Sequence, residues 1–286
     1  MRLIAGIVVG CCLWLLSGCA GAAGGGPAAG ETGFERVEIP LVVAVAPDAA
    51  GMTVIGYLFR PEGGGRFPAV VIMHGCNGLD WAVAGQPGWL LAKSYAERYV
   101  RHGYVALVLD SFAPRGIGNA CGKPLTVSAG RRAADAYSAA AYLAAKAFVD
   151  RDRIVLQGDS HGGWTTLVAL ETGGAAMPVH FAAGIAWYPA CYRARGFSAP
   201  LLILIGTADD WTPAAACTTM SKRLGRIGHG ADIVLKIFPG ATHAFDFPLP
   251  PRTNYLGHHL AYDRQATEAS WQAIDAFLQH YVRSPG

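Results

Sequence analysis

Short, continuously apolar runs recur along the chain and are separated by longer alanine-rich or mixed stretches. Runs that are apolar at every position are typical of strands buried on both faces of a sheet. Near the start, Val37–Ala46 and Thr53–Phe59 predict an antiparallel pair of strands. The later runs predict buried strands at Pro68–His74, Tyr104–Asp110, Arg153–Gln157, Phe181–Tyr188, Pro200–Gly206 and Asp232–Phe238.

Helices are predicted between most of these strands. They cover Trp89–Arg101, residues 130–148, Ser160 to about Gly173, Thr212–Leu224 and Tyr262–Tyr281. This alternation predicts an α/β fold with a mostly parallel central sheet and helices on both faces. The carboxyl ends of parallel strands then share one edge, where such folds carry their sites. The connection from Tyr188 to Pro200 is too short to hold a large cap domain.

The first residues predict a targeting signal that is not part of the fold. Arg2 supplies a positive charge, and the apolar run Leu3–Leu16 is too short to span a membrane stably. Leu16-Ser17-Gly18-Cys19 resembles the bacterial lipobox, where the chain is cut before the cysteine and its thiol is lipidated. An ordinary signal peptide cut elsewhere is the alternative. From the lipobox we expect a lipid-anchored protein facing the periplasm, and Ala20 after Cys19, by resemblance to sorted lipoproteins, favours the outer membrane.

Length and charge describe the remainder of the chain. The 286 residues are 52% hydrophobic and 15% charged, which is enough for one domain with a large core. The formal net charge of +3, without a run of Lys or Arg, gives no sign of a nucleic-acid partner. We therefore divide the chain into a signal peptide (1–18), a flexible Gly/Ala tether (19–34) and a single domain (35–286).

Cysteines in the predicted domain indicate disulfides. An even number remains there, as expected in an oxidising envelope. Cys191 follows one predicted strand and Cys217 lies on the helix after the next, so we predict a bridge between them. The second predicted bridge joins Cys76 to Cys121. No C-x-x-C or H-x-x-x-H spacing appears, so a metal site is the weaker interpretation and no cofactor is implied.

One stretch carries the pattern of a reactive serine. Gly158-Asp159-Ser160-His161-Gly162 is a G-x-S-x-G match that directly follows a predicted strand and opens a predicted helix. This is the context of a nucleophile elbow, a strained turn that needs small residues on both sides of the serine. The backbone N–H of His161, at the helix start, would face developing negative charge. The alternative is a plain glycine-rich connection.

A serine hydroxyl needs a histidine base, and the base needs a carboxylate. His243 follows the last predicted strand at the expected edge of the sheet, and Asp209 and Asp210 follow another. Either acid gives the order Ser, Asp, His of α/β-hydrolases. The loop His74–Gly78 follows the strand before it, and the Cys76 N–H there is the second expected oxyanion donor.

These motifs together resemble the dienelactone hydrolase family of α/β-hydrolases over roughly residues 35 to 282. The matching stretches are HGCNG, LDSFAPRG, GDSHGG, IGTADDWTP and THAF. In that family the acid is commonly followed four residues later by proline. Pro213 has this spacing from Asp209, so the resemblance favours Asp209 over Asp210.

The chain departs from the family enzyme that opens dienelactones. That enzyme has a cysteine where this chain has Ser160, a glutamate where it has Gly75, and an arginine where it has Phe247. Arg115 lies near the position of the family's other carboxylate-binding arginine. The resemblance therefore implies a serine esterase acting on another ester, with Arg115 as a candidate anion-binding residue.

We interpret the chain as a serine hydrolase that cleaves small carboxylic esters or lactones through an acyl-enzyme. An acyltransferase or small peptidase with the same triad, or a non-catalytic envelope lipoprotein on this scaffold, are the alternatives. Aromatic side chains near the motifs are expected to form the pocket walls. They are Phe112, Trp164, Tyr188, Trp211 and Phe245.

Overall fold

The computed structural model describes residues 33–42, 51–79, 87–172, 177, 179–228, 231–248, 250 and 253–282. The predicted signal peptide, Cys19 and nearly all of the predicted tether lie outside these residues. Within the described ranges, no helix combines the length and the apolar character needed to cross a membrane.

An eight-stranded sheet forms the centre of the domain. Its strands are β1 (Glu35–Pro40), β2 (Thr53–Phe59), β3 (Phe67–Met73), β4 (Val105–Asp110), β5 (Val149–Asp159), β6 (Ala183–Trp187), β7 (Leu201–Gly206) and β8 (Ile233–Phe238). They lie in the order β1-β2-β4-β3-β5-β6-β7-β8. β2 is antiparallel to both β1 and β4, and the other neighbouring pairs are parallel. The mostly parallel sheet predicted from the apolar runs is confirmed.

The predicted helices pack around this sheet. They are α1 (Pro87–Arg101), α2 (Ala129–Ala144), α3 (His161–Leu170), α4 (Ala214–Ile227) and α5 (Arg264–Tyr281). α2 contacts α3, whereas Arg98 of α1 donates a hydrogen bond to Asp275 of α5 at 2.9 Å. Because these strands are parallel, the carboxyl ends of β3, β5, β7 and β8 lie at one edge of the sheet.

Several element boundaries differ from the sequence predictions for local reasons. β1 ends at Pro40, earlier than predicted, and residues 43–46 of that prediction lie outside the described residues. α4 begins at Ala214 because Pro213 occupies the N-cap position. α5 begins at Arg264 because the Asp263 side chain accepts the Ala266 N–H at 2.9 Å.

A small hairpin covers the edge of the sheet and was not predicted. Strands β9 (Thr253–Tyr255) and β10 (His258–Leu260) are antiparallel. Leu256 and Gly257 form the turn with φ of 52° and 89°. Positive φ at both positions is typical of Asn-Gly hairpin turns, but leucine stands at the first position here, so the usual sequence signal is missing. A bridge between Leu260 and His243 ties the hairpin to the loop after β8.

Candidate active site

Ser160 occupies a strained turn between β5 and α3. Its φ is 51°, in a region that residues other than glycine rarely adopt. A Cβ atom at Gly158 would lie 2.2 Å from the Gly162 carbonyl oxygen, and one at Gly162 would lie 2.0 Å from that of Met73. The Ser160 N–H donates to the Trp187 carbonyl at 2.9 Å. The turn therefore requires glycine on both sides of the serine.

His243 connects the serine to a buried acid. Its Nε2 lies 2.9 Å from Ser160 Oγ, and its Nδ1 lies 2.9 Å from Asp209 Oδ2. The Asp209 carboxylate is acceptor-only when ionised, so the Nδ1–H donates to it and Nε2 accepts the serine O–H. Three segments far apart in the sequence thus form one chain of hydrogen bonds from a hydroxyl to a carboxylate.

The two adjacent acids have different partners. Asp209 Oδ1 accepts the backbone N–H groups of Trp211 and Thr212 at 3.0 and 2.8 Å, which orients its other oxygen toward His243. Asp210 lies at the surface, and its carboxylate contacts His258 Nδ1 at 3.2 Å. The choice of Asp209, which the sequence motifs alone left open, agrees with this geometry.

A buried arginine holds both loops that are expected to bind the oxyanion. Arg132 Nη2 donates to the His74 carbonyl at 2.6 Å, and its Nη1 lies 2.7 Å from His161 Nδ1. Because a guanidinium can only donate, His161 accepts at Nδ1 and donates from Nε2 to the Pro124 carbonyl at 2.8 Å. Burial, followed by the nearby Arg132 charge, lowers the pKa of His161 to about 4. His161 is therefore neutral and fixed in one tautomer.

The loop His74–Gly78, which carries the proposed donor Cys76 and is called the oxyanion loop below, is also held covalently. Cys76 is bridged to Cys121, and the Cys76 carbonyl accepts the Ala120 N–H at 2.8 Å. A second bridge joins Cys191 to Cys217. Both predicted disulfides are confirmed. The backbone N–H groups of Cys76 and His161 remain our proposed oxyanion donors.

Removing the two disulfides separately should distinguish stability from activity. The Cys76→Ser, Cys121→Ser variant is expected to lose about 2–4 kcal/mol in free energy of unfolding. It should also lose roughly 10-fold or more in kcat, because the oxyanion loop gains freedom. The Cys191→Ser, Cys217→Ser variant is the matched control and should lose comparable stability with kcat nearly unchanged. Urea unfolding and steady-state kinetics measure both quantities, and equal kcat losses would contradict the assigned role of the first bridge.

A cavity of about 390 Å³ opens beside Ser160 and His243. Hydrocarbon side chains supply much of its wall, namely those of Leu79, Leu91, Phe247 and Leu260. Neutral polar groups come from Asn77, Asn119 and Tyr255. A site of this size and character suits a small, largely apolar ligand.

Two of the five aromatic residues expected in the pocket wall line this cavity, Tyr188 and Trp211. Their rings lie 4.7 and 5.1 Å from the His243 ring. The expectation is corrected for the other three. Phe112 packs on His74 at 4.6 Å, Trp164 on His161 at 5.4 Å and Phe245 on Trp187 at 5.9 Å.

The prediction that Arg115 binds the substrate is also corrected. Both of its terminal nitrogens donate to the buried Asp135 carboxylate, at 2.8 and 2.9 Å. Nη1 also donates to the Ser111 carbonyl at 2.6 Å. The Arg115 side chain is 9% exposed and is not among the described residues that line the cavity. Its charge is already paired within the fold.

Sequence reasoning missed a buried acid pair next to the nucleophile. Asp159 lines the cavity, and burial together with the nearby Asp246 raises its pKa to about 7 despite the Arg132 charge. Burial also raises the pKa of Asp246, whose carboxylate accepts the hydroxyl groups of Tyr95 and, at 2.7 Å, Tyr188. The signal for Asp159 was its place inside the serine motif. Asp246 gave no comparable signal.

Asp159→Asn is expected to stabilise the protein at alkaline pH. An aspartate whose folded pKa is near 7 keeps its proton when the unfolded chain, near pKa 3.9, has lost it. Its contribution to stability is therefore full at low pH and falls as the pH rises from about 4 to 7. Between pH 5 and pH 8 the variant should gain about 2–3 kcal/mol relative to wild type. Urea unfolding at both pH values measures this, and a pH-independent difference would contradict the raised pKa.

This chain is similar in sequence to two candidate enzymes and in fold to solved structures. A candidate 2-oxo-3-(5-oxofuran-2-ylidene)propanoate lactonase of a Bradyrhizobium species is 28% identical over 68% of this chain and 80% of its own. A candidate carboxymethylenebutenolidase of a Synechocystis species is 24% identical over 85% of this chain and 98% of its own. The crystal structure of a dienelactone hydrolase-like promiscuous phosphotriesterase from metagenomic libraries has a TM-score of 0.65 at 21% identity. It covers 88% of this chain and all of its own.

The family model named "Dienelactone hydrolase family" matches residues 54–282. That match covers the sheet from the second residue of β2 onward, every described helix, and each residue of the Ser160, His243 and Asp209 chain. The protein therefore belongs to the dienelactone hydrolase family.

Proposed function

We propose that this protein is a serine hydrolase that cleaves small carboxylic esters or lactones through an acyl-enzyme. The observation that carries the proposal is the continuous contact from Ser160 Oγ through His243 to Asp209, with both hydrogen bonds at 2.9 Å beside an open cavity. The named activities of the Bradyrhizobium and Synechocystis relatives support the substrate class.

The geometry supports a two-step acyl transfer. Ser160 Oγ attacks the ester carbonyl while His243 Nε2 takes the serine proton, and Asp209 stabilises the imidazolium that forms. The N–H groups of Cys76 and His161 hold the oxyanion of the tetrahedral intermediate. His243 then passes its proton to the leaving alcohol. Water, activated by the same histidine, releases the acid from Ser160.

Fluorophosphonate labelling and two substrate series test this function. The proposal expects the label on Ser160, rapid hydrolysis of p-nitrophenyl acetate and butyrate, and little hydrolysis of aminoacyl-anilides. Longer acyl chains should be poorer substrates because the cavity is only about 390 Å³. Preferential anilide cleavage would instead favour a peptidase, and absence of label on Ser160 would overturn the assignment.

We also propose that Cys19 is lipidated and anchors the protein at the periplasmic side of the envelope, with the outer membrane favoured. The support is the stretch Leu16–Cys19, the following Ala20 and the four domain cysteines. Labelled palmitate should enter the protein in a bacterial host and be lost in Cys19→Ala. Incorporation that survives this substitution would contradict the anchor.

A further inference from the structure

The charges around the cavity are uneven. Among the described residues that line it, Asp159 supplies the carboxyl group, and there is no Lys or Arg side chain. The remaining polar side chains, outside the Ser160–His243 pair, are uncharged amides, phenols and the indole of Trp211. A substrate carboxylate bound there would lose water without gaining a counter-charge, which is unfavourable.

Two guanidinium groups on the segments around the nucleophile, those of Arg115 and Arg132, are already paired within the fold. Arg115 donates from both terminal nitrogens to Asp135. Arg132 is fully buried and donates to the His74 carbonyl while contacting His161. Moving either group toward a ligand would leave buried partners unsatisfied. These two cations therefore cannot serve a bound carboxylate without disrupting the oxyanion loop or its surroundings.

A glycine makes room for the Asp159 carboxyl beside the oxyanion loop. A Cβ atom at Gly75 would lie 2.6 Å from Asp159 Oδ2, closer than Cβ atoms approach an oxygen in real structures. The position of this carboxyl thus depends on the absence of a side chain at Gly75. The strand β5 ends at Asp159 and the nucleophile follows at once, so the acid is fixed relative to the reacting group.

We propose that the cavity accepts esters and lactones whose acyl part carries no free carboxylate, and that Asp159 is the residue that determines this preference. The inference rests on the proposed ester hydrolase function. It assigns uncharged esters and lactones, rather than lactones that carry a carboxylate, as the substrate class. It also gives a role to the acid that the acyl-transfer steps do not use.

The preference should grow with pH. The pKa of Asp159 is about 7, so at lower pH the acid is mostly neutral and repels an anion weakly. At higher pH the ionised acid either repels the substrate anion or must first take up a proton. The protonated fraction falls up to tenfold per pH unit, and kcat/KM for the anionic substrate falls with it. The charged and titratable groups around it are Asp246, Arg132, His243, Tyr95 and Tyr188. The phenol pKa values are raised, so both tyrosines stay neutral, and Arg132, with its pKa lowered to about 10, stays charged through pH 9.

The experiment compares kcat/KM for two substrates of nearly equal size, ethyl succinamate and monoethyl succinate, through released ethanol. The amide is neutral and the acid is ionised throughout the range tested. Any protonation step in the free enzyme that catalysis of both reactions requires affects the two substrates equally and cancels in the ratio. Wild type should prefer the amide about 10-fold at pH 6.5, and this preference should rise a further 10- to 100-fold at pH 9. In Asp159→Asn the ratio should be independent of pH.

A second variant keeps the test decisive if Asp159→Asn folds poorly. Asn119 is exposed at the cavity wall, and Asn119→Arg should supply the missing cation and reduce the preference at least 10-fold. Equal turnover of both substrates by wild type would overturn the inference while leaving the hydrolase assignment intact. So would a preference whose pH dependence survives Asp159→Asn. No turnover of either substrate, nor of p-nitrophenyl butyrate, would overturn the proposed function itself.

Discussion

Ser160→Ala is expected to lower kcat for ester hydrolysis by about 10⁴- to 10⁶-fold, because it removes the hydroxyl that lies 2.9 Å from His243 Nε2 and attacks the ester in the proposed mechanism. The substitution removes only one oxygen atom from the turn, so the unfolding temperature should change by about 2 °C or less. Steady-state kinetics with p-nitrophenyl butyrate and thermal unfolding measure the two effects.

Ser94→Ala is a matched control for this variant. Ser94 is exposed on α1, where its hydroxyl donates to the Leu91 carbonyl at 2.7 Å. The control should keep kcat within about twofold of wild type. Activity of Ser160→Ala comparable to this control would show that the nucleophile lies elsewhere.

Asp209→Asn should lower kcat by about 10³- to 10⁴-fold, and the adjacent Asp210→Asn should change it by less than about threefold. An amide at position 209 can donate a hydrogen bond to Nδ1, which favours the imidazole tautomer that cannot accept the Ser160 proton. Asp210 instead contacts His258 at the surface. The two variants change the same functional group at neighbouring positions, so kinetics alone separate them.

A large kcat loss in both aspartate variants would indicate that the hairpin contact also matters for catalysis. A large loss in Asp210→Asn alone would exchange their roles. Rescue of Asp209→Asn at higher pH is not expected because the defect lies in the tautomer.

The order of motifs along the chain was sufficient to predict the sheet and the chemical groups at its edge. Each of Ser160, Asp209 and His243 follows a strand whose apolar pattern is clear, and parallel strands share one active edge. Asp209 and Asp210 could not be separated by residue type or strand position, because both follow β7 directly. Their distinction depends on backbone N–H groups two and three residues later.

The surroundings of the triad were less predictable because they depend on pairing across the fold. Arg115 was predicted to bind an anion, but it donates to the carboxylate of Asp135 on α2. Arg132 stands among alanines on the same helix, and only the packing of α2 beside the His74 loop reveals its partners. Phe245 follows His243 closely in sequence but is buried against Trp187. In each case a neighbour distant in sequence determines what the side chain contacts.

The position of Arg132 has a consequence for how this enzyme could acquire new substrates. One side chain holds both segments that would stabilise the transition state, so altering either segment risks both at once. Asn119 and the β9–β10 hairpin, in contrast, border the cavity, and Asn119 donates to the Tyr255 hydroxyl of that hairpin at 3.2 Å. We therefore expect changes in substrate range to accumulate at Asn119 and the hairpin, while the two segments held by Arg132 tolerate little variation.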